Sequence, residues 1–209
     1  MKDLYWMEEA TEQKPPSGDE NDENIDSENS VTSYSHNIYF YSEVSRPRIL
    51  SLNKKIVQLG VKLRNISNTL EIDTKHINLH INSYGGSVFA GFAALDYIKS
   101  SKVPVNTIIN GCAASAATLM SVVGTERYMH EHSFMLIHQL SAWMGGKYEE
   151  MKDDMKNNEL LMHTIKDIYK KHTKLPKSQL SKVLKHDLWW DAKTCLKYGL
   201  VDDIITENI

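Results

Sequence analysis

The chain has 209 residues, of which 41% are hydrophobic and 24% charged, with a formal net charge of −3. This length fits one domain, or one domain with a tail, and the apolar content is ample for a core. The sequence has no apolar run of the roughly 20 residues that a membrane span needs, and no basic stripe typical of nucleic-acid binding. It has only two cysteines, which fits a reducing compartment, and we expect a cytoplasmic protein.

The charge is distributed unevenly along the chain. Residues 1–36 hold 2 Lys/Arg and 10 Asp/Glu, and the rest of the chain has a basic surplus. Such a polar, acidic segment buries too little apolar surface to offset its ordering entropy. We therefore predict an acidic disordered tail or propeptide over residues 1–36 and a folded domain over residues 37–209.

In the first half of the domain, strand patterns alternate with helix patterns. Apolar residues at every second position indicate strands, and apolar residues at steps of three and four indicate helices. The predicted strands are Ile38–Tyr41, His76–Ile81 and Val103–Ile109, and the predicted helices span residues 49–67 and 89–100. This alternation favours a βαβ architecture with a largely parallel sheet.

The second half is richer in helix. Two β runs are predicted between Glu126 and Gln139, followed by a flexible loop over residues 141–147. A long amphipathic helix is predicted from Tyr148 to His172, with Met151 and Met155 in its apolar stripe. Shorter elements follow: helices over 176–184 and 191–198, the second stopped by Gly199, and a last strand within 200–205.

Ser115 lies in a stretch of small residues from Gly111 to Met120, which we predict to open a helix after a strand. Small neighbours let a substrate backbone approach a nucleophilic serine, and free N–H groups at a helix start stabilise an oxyanion. The alternative is a tight helix that only packs on the sheet. Cys112 is a rival nucleophile, or a small buried hydrophobe.

Two further features follow predicted strands. Gly85 and Gly86 come after the second strand, in a loop that suits an oxyanion or a phosphate but lacks the pattern of a P-loop. His138 ends an apolar run and is the natural base near neutral pH. Because carboxyl ends of parallel strands meet at one edge of a sheet, we expect Ser115, Gly86 and His138 to converge there. Each of them also has a purely structural reading.

Four motifs in order resemble those of the Clp protease proteolytic subunit family, the ClpP serine peptidases. They are Ile81-Asn82-Ser83-Tyr84-Gly85-Gly86-Ser87-Val88, Gly111-Cys112-Ala113-Ala114-Ser115, Met135-Leu136-Ile137-His138-Gln139 and Tyr198-Gly199-Leu200-Val201-Asp202. The resemblance spans residues 38–205. It implies the ClpP/crotonase-like α/β fold, a βαβ superhelix with a protruding handle helix over residues 148–172.

The resemblance also implies roles for single residues. Ser115 falls on the nucleophile, His138 on the base and Asp187 on the orienting acid, although Asp191 lies only four residues further on. Backbone N–H groups of Gly86 and Ala116 fall on the oxyanion hole. No metal or cofactor is implied.

The family relation further implies polypeptide substrates, an added substrate strand at residues 141–147, and stacked heptameric rings. An AAA+ unfoldase of the ClpX, ClpA or ClpC type is the implied partner for folded substrates. Tyr84 stands where the family usually has proline, and Ala116-Ala117 replaces Met-Gly. A divergent or phage-encoded member, which would work in the host cytoplasm, fits these differences. A non-catalytic ring subunit and a crotonase-type acyl-CoA enzyme are the alternative functions.

Overall fold

The computed structural model of the protein describes residues 31–207. The strands are β1 Val31–Tyr34, β2 Asn37–Phe40, β3 Ile77–Ser83, β4 Val105–Ala114, β5 Arg127–His130, β6 Phe134–Leu136, β7 Trp190–Asp191 and β8 Asp203–Ile205. The helices are α1 Arg46–Leu70, α2 Val88–Ser100, α3 Ala116–Ser121, α4 Tyr148–His172, α5 Lys177–Val183 and α6 Ala192–Lys197. The predicted alternation of strands and helices is confirmed.

The strands form one mixed sheet in the order β1-β2-β3-β4-β5-β8, with β6 continuing beside the end of β4 and β7 beside β6. Strands β2, β3, β4, β5, β6 and β8 pair in parallel, whereas β1 and β7 pair antiparallel with their neighbours. Parallel neighbours require crossover connections, and α1 and α2 supply them between β2 and β3 and between β3 and β4.

The core lies between the sheet and the helices. Along β3, Ile77, Leu79 and Ile81 belong to the buried hydrophobic cluster. Helix α1 adds apolar residues at three- and four-residue steps, which place them on one face of the helix. This packing fixes the ends of the central strands, where the site described below is built.

The long helix α4 has the predicted bounds, and only half of it packs on the domain. Its buried residues are Leu161, Ile165 and Tyr169, all in the second half. Met151 and Met155, which the sequence places in the apolar stripe of this helix, are both exposed. The first half therefore protrudes, as expected of a handle helix.

Two other boundaries differ from the prediction. Residues 111–114 continue β4, so the helix begins only at Ala116, because the small side chains also fit between β3 and β6. At the amino end, Val31–Tyr34 form β1 paired with β2, although we assigned them to the acidic tail. Residues 1–30 of that predicted tail lie outside the described residues.

Candidate active site

Three chain segments meet where neighbouring parallel strands end. Strand β3 leads into Gly85 and Gly86, β4 leads into Ser115, and β6 leads into His138. Because β4 pairs in parallel with both β3 and β6, the three ends lie at one edge of the sheet. The predicted convergence of these segments is therefore observed.

Ser115 occupies a strained turn between β4 and α3. Its φ of 55° and ψ of −128° lie outside the regions that residues with a side chain favour. Its N–H donates a 2.9 Å hydrogen bond to the carbonyl oxygen of Leu136, which ties the turn to the end of β6. The buried Oγ has no hydrogen-bond partner among residues 31–207. A buried hydroxyl without a partner is uncommon and suits a group that acts on a ligand.

The loop at Gly85 touches the back of this turn. A Cβ added at Gly85 would lie 2.5 Å from Cβ of Ser115 and 3.1 Å from the backbone nitrogen of Ala116. The φ of Gly85 is +103° and that of Gly86 is +142°, conformations that side chains rarely adopt. Glycine is therefore required here both by conformation and by the close approach of two loops.

The N–H of Gly86 takes no part in the bridge that joins this loop to Val44. Val44, which follows β2, receives a hydrogen bond from Ser87 N–H and donates one to the Gly85 carbonyl, each 2.8 Å long. In such a parallel bridge the N–H of the residue between, Gly86, points away from Val44.

His138 is paired with Asp187 rather than with Asp191. The distance between His138 Nδ1 and Asp187 Oδ1 is 3.0 Å. The carboxylate of Asp191 instead accepts a 2.9 Å hydrogen bond from Thr194 N–H and caps α6, and hydrogen bonding with Thr194 lowers its pKa. A proton on Nδ1 shared with Asp187 fixes the tautomer of His138 in which Nε2 carries the lone pair.

The two members of this pair differ in exposure. The side chain of His138 is 19% exposed and that of Asp187 is 76% exposed. A 2.7 Å hydrogen bond from Gln139 N–H to the Leu184 carbonyl joins the segment after His138 to the segment before Asp187. The imidazole is thus fixed by its surroundings, whereas the acid is carried on an open loop.

A pair of hydrogen bonds that holds the Ser115 turn was not predicted from the sequence. The hydroxyl of Thr118 donates a 2.6 Å hydrogen bond to the Ser115 carbonyl and lies 2.6 Å from the hydroxyl of Tyr169 in α4. Because the single hydroxyl proton of Thr118 is donated to Ser115, Tyr169 is the donor in the second bond. Burial raises the pKa of Tyr169 well above its usual range, which keeps that hydroxyl protonated. The position of Thr118, three residues after Ser115, was the only available signal.

Cys112 does not share the environment of Ser115. Its Sγ lies 3.5 Å from Oδ1 of Asn82, and burial raises the pKa of the thiol. Because the thiolate is the nucleophilic form, a raised pKa disfavours Cys112 in that role.

Comparisons with known proteins show the family and the fold of the chain. The Clp protease family model matches residues 33–208. The chain is 31% identical to the ATP-dependent Clp protease proteolytic subunit of Deinococcus radiodurans over 80% of this chain and 85% of that protein. It is 34% identical to the subunit of Streptococcus mutans, over 80% of this chain and 89% of that protein. A ClpP1 mutant from Listeria monocytogenes matches the fold with a TM-score of 0.67 and 25% identity, over 83% of this chain and 93% of that one.

The fold and these relatives define the class as a serine-type peptidase with the ClpP α/β fold. More particularly, the chain belongs to the Clp protease family, and it resembles that family's proteolytic subunits over most of its length. Within residues 31–207, none of the helices is long and apolar enough to cross a membrane.

Proposed function

We propose that this protein is an endopeptidase that hydrolyses peptide bonds through Ser115, His138 and Asp187 with an acyl-enzyme intermediate. One observation carries the proposal: a histidine–carboxylate pair and a serine on a strained turn occupy the same edge of the sheet. A base within reach of a hydroxyl, oriented by an acid, is the arrangement that serine nucleophiles need.

In the first half of the reaction, His138 Nε2 takes the proton of Ser115 as Oγ attacks the scissile carbonyl carbon. Asp187 accepts the Nδ1–H bond and stabilises the imidazolium that forms. His138 then gives this proton to the leaving amine, the C–N bond breaks and the acyl group stays on Ser115. Water then attacks the acyl carbon and loses a proton to His138. His138 returns this proton to Ser115 Oγ as the ester bond breaks, and the carboxylic acid product leaves.

The negative charge on the carbonyl oxygen requires donors that are already in place. We assign them to the backbone N–H groups of Gly86 and Ala116. The N–H of Ser115 is already bonded to Leu136, whereas the N–H of Gly86 takes no part in the bridge to Val44. Removing one such donor typically lowers the rate about 10²- to 10³-fold.

In the ligand-free state, no hydrogen bond joins Ser115 Oγ to His138. Catalytic hydrogen bonds are often long in a ligand-free enzyme and tighten in the complex with substrate. We propose that a peptide lying along residues 141–147 as an added strand brings the two side chains together.

Assembly and partners follow from the family relation and from α4. Its protruding half exposes Met151, Met155 and Leu160, apolar surface that a single copy leaves in water. We propose that these faces join stacked heptameric rings around a closed chamber. Because the relatives are named ATP-dependent, an AAA+ unfoldase is the proposed partner. The cysteines within residues 31–207 are free thiols, which suits the reducing cytoplasm, or the host cytoplasm for a phage protein.

A fluorophosphonate probe tests the proposal, because it reacts with an activated serine. We expect labelling at Ser115, loss of labelling and of peptide hydrolysis in Ser115→Ala, and an unchanged particle mass for that variant. Cys112→Ala is the matched control, and it should keep both activities. Hydrolysis that survives Ser115→Ala would refute the assignment.

One observation favours a second candidate, a ring subunit without activity of its own. The Oγ of Ser115 has no partner among the described residues, so the nucleophile is not aligned in this state. This candidate predicts no labelling of the assembled protein at any substrate concentration, together with normal assembly. A peptide that restores labelling would support the endopeptidase instead.

A further inference from the structure

The acid of the proposed triad depends on an open loop for its position. Residues 187–189 belong to no helix or strand, and the Asp187 side chain is 76% exposed. Productive geometry in such sites tolerates errors of only about 0.5 Å. An exposed loop has conformational freedom that some contact has to limit.

An aromatic pair connects this loop to the glycine loop. The rings of Tyr84 and Trp189 lie 6.3 Å apart at 84°, an edge-to-face contact. Tyr84 directly precedes Gly85, and Trp189 follows Asp187 by two residues. Although the contact lies at the surface, with Tyr84 78% and Trp189 44% exposed, its geometry is the favoured one for aromatic pairs.

The glycine loop is the fixed partner in this contact. Gly85 donates a 3.2 Å hydrogen bond to Ser83 Oγ, and its carbonyl accepts the 2.8 Å bond from Val44 N–H. Backbone bonds on both sides of Gly85 therefore hold Tyr84 in place. Trp189, by contrast, is carried on the open loop, so the contact restrains the loop rather than the reverse.

We propose that Tyr84 and Trp189 are positioning residues, whose ring contact holds the loop so that Asp187 stays within hydrogen-bond distance of His138. The inference rests on the proposed triad. The pair acts through Asp187 and touches no reacting atom. It also couples the acid to the oxyanion loop, since both depend on the backbone around Gly85.

When either ring is removed, Asp187 should spend part of the time beyond hydrogen-bond distance of His138. We expect Trp189→Ala and Tyr84→Ala each to lower kcat about 2- to 10-fold, the range that corresponds to one aromatic pair. The double variant should be no slower than the slower single variant, because both changes break the same contact. The KM for a short peptide should stay unchanged.

The pH profile separates positioning from a general loss of structure. An opposite charge nearby favours the protonated imidazole, so an imidazole that has lost Asp187 releases its proton at lower pH. The acid limb of kcat/KM should therefore move to lower pH in both alanine variants. Tyr84→Phe keeps the ring and should restore the limb and most of kcat.

The experiment measures kcat, KM and the acid limb with a fluorogenic peptide for six variants, which include Leu188→Ala and Asp187→Ala. Leu188 lies in the same loop, is 63% exposed and is the matched control, which should behave as wild type. Native mass spectrometry confirms that each variant assembles.

Additive losses, or an unmoved acid limb, would overturn the inference. A rise in KM alone that depends on the substrate side chain would overturn it as well, and would assign the rings to substrate binding. Asp187→Ala tests the proposed triad separately from the positioning role of the two rings, since we expect it to lose about 10⁴-fold in kcat. If Asp187→Ala is silent, the proposed triad fails; if Asp187→Ala is inactive and the ring variants are silent, only the positioning role fails.

Discussion

Gly85→Ala provides a sharp test of how the two loops meet at Ser115. The added Cβ would lie 2.5 Å from Cβ of Ser115 and 2.8 Å from the carbonyl oxygen of Ala114, whereas ordinary contact begins at 3.4 Å. The two Cβ atoms must therefore separate by about 0.9 Å. Neither Ser115 Cβ nor the Ala114 carbonyl oxygen is the end of a flexible side chain. The nucleophile itself has to move.

Two costs add in this variant. A side chain at a φ of +103° carries a backbone cost of about 1–2 kcal/mol. A misplacement of about 1 Å in a catalytic group is enough to lower the rate about 10²-fold. We therefore expect kcat/KM for a short peptide to fall about 10²- to 10³-fold, with slower fluorophosphonate labelling of Ser115.

Gly60→Ala is the matched control, because it makes the same chemical change elsewhere. Gly60 lies inside α1, and its added Cβ would meet Val103 Cγ2 at 3.7 Å, an ordinary contact. Alanine in a helix interior is favoured over glycine by about 0.8–1 kcal/mol, so this variant should be more stable and fully active. Wild-type labelling and hydrolysis in Gly85→Ala would refute the close approach that we describe.

Three further predictions concern stability and pH. Tyr169→Phe should lower the free energy of unfolding by about 1–2 kcal/mol in urea at fixed protein concentration, because Thr118 loses a buried donor; no change would contradict that bond. Burial lowers the pKa of His80, so its contribution to stability is complete above its unfolded pKa of about 6.5 and is lost as the pH falls toward the lowered value. His80→Gln, which cannot gain a proton, should then lose less stability than wild type between pH 7 and 5 in thermal denaturation. Arg127→Met should cost about 2–3 kcal/mol, since the guanidinium binds the Asp202 carboxylate and two backbone carbonyls; a melting temperature like that of wild type would contradict it.

The sequence predicts the order of elements well. The burial of one face of a helix or strand places apolar residues at regular steps along the sequence. Helix α4 has the predicted bounds, with acidic residues in its first turn and basic residues in its last, as the helix dipole favours. The sequence does not predict how much of that helix is buried, since an apolar stripe does not reveal whether a neighbour covers it. The stripe carries the same signal in its packed half and in its protruding half.

The site was predictable in part. Residues 111–114 have small side chains without a helix or strand period, so the true start of α3 depends on how closely β3 and β6 approach. Asp187 and Asp191 both precede apolar residues, and each reads as a cap. Only tertiary placement separates them: one carboxylate lies beside His138 and the other caps α6.

The strained turn at Ser115 explains why the site needs so many distant segments. A residue in such a conformation costs on the order of 1–3 kcal/mol, and it persists only where its surroundings fix it. Here the N–H is held by Leu136 from β6, and the carbonyl is held by Thr118, which Tyr169 of α4 supports in turn. Each bond of this kind contributes about 0.5–1.5 kcal/mol, so the three bonds together are of the same order as the strain. The position of Oγ at the sheet edge is therefore a property of the whole α/β layer and not of the local sequence.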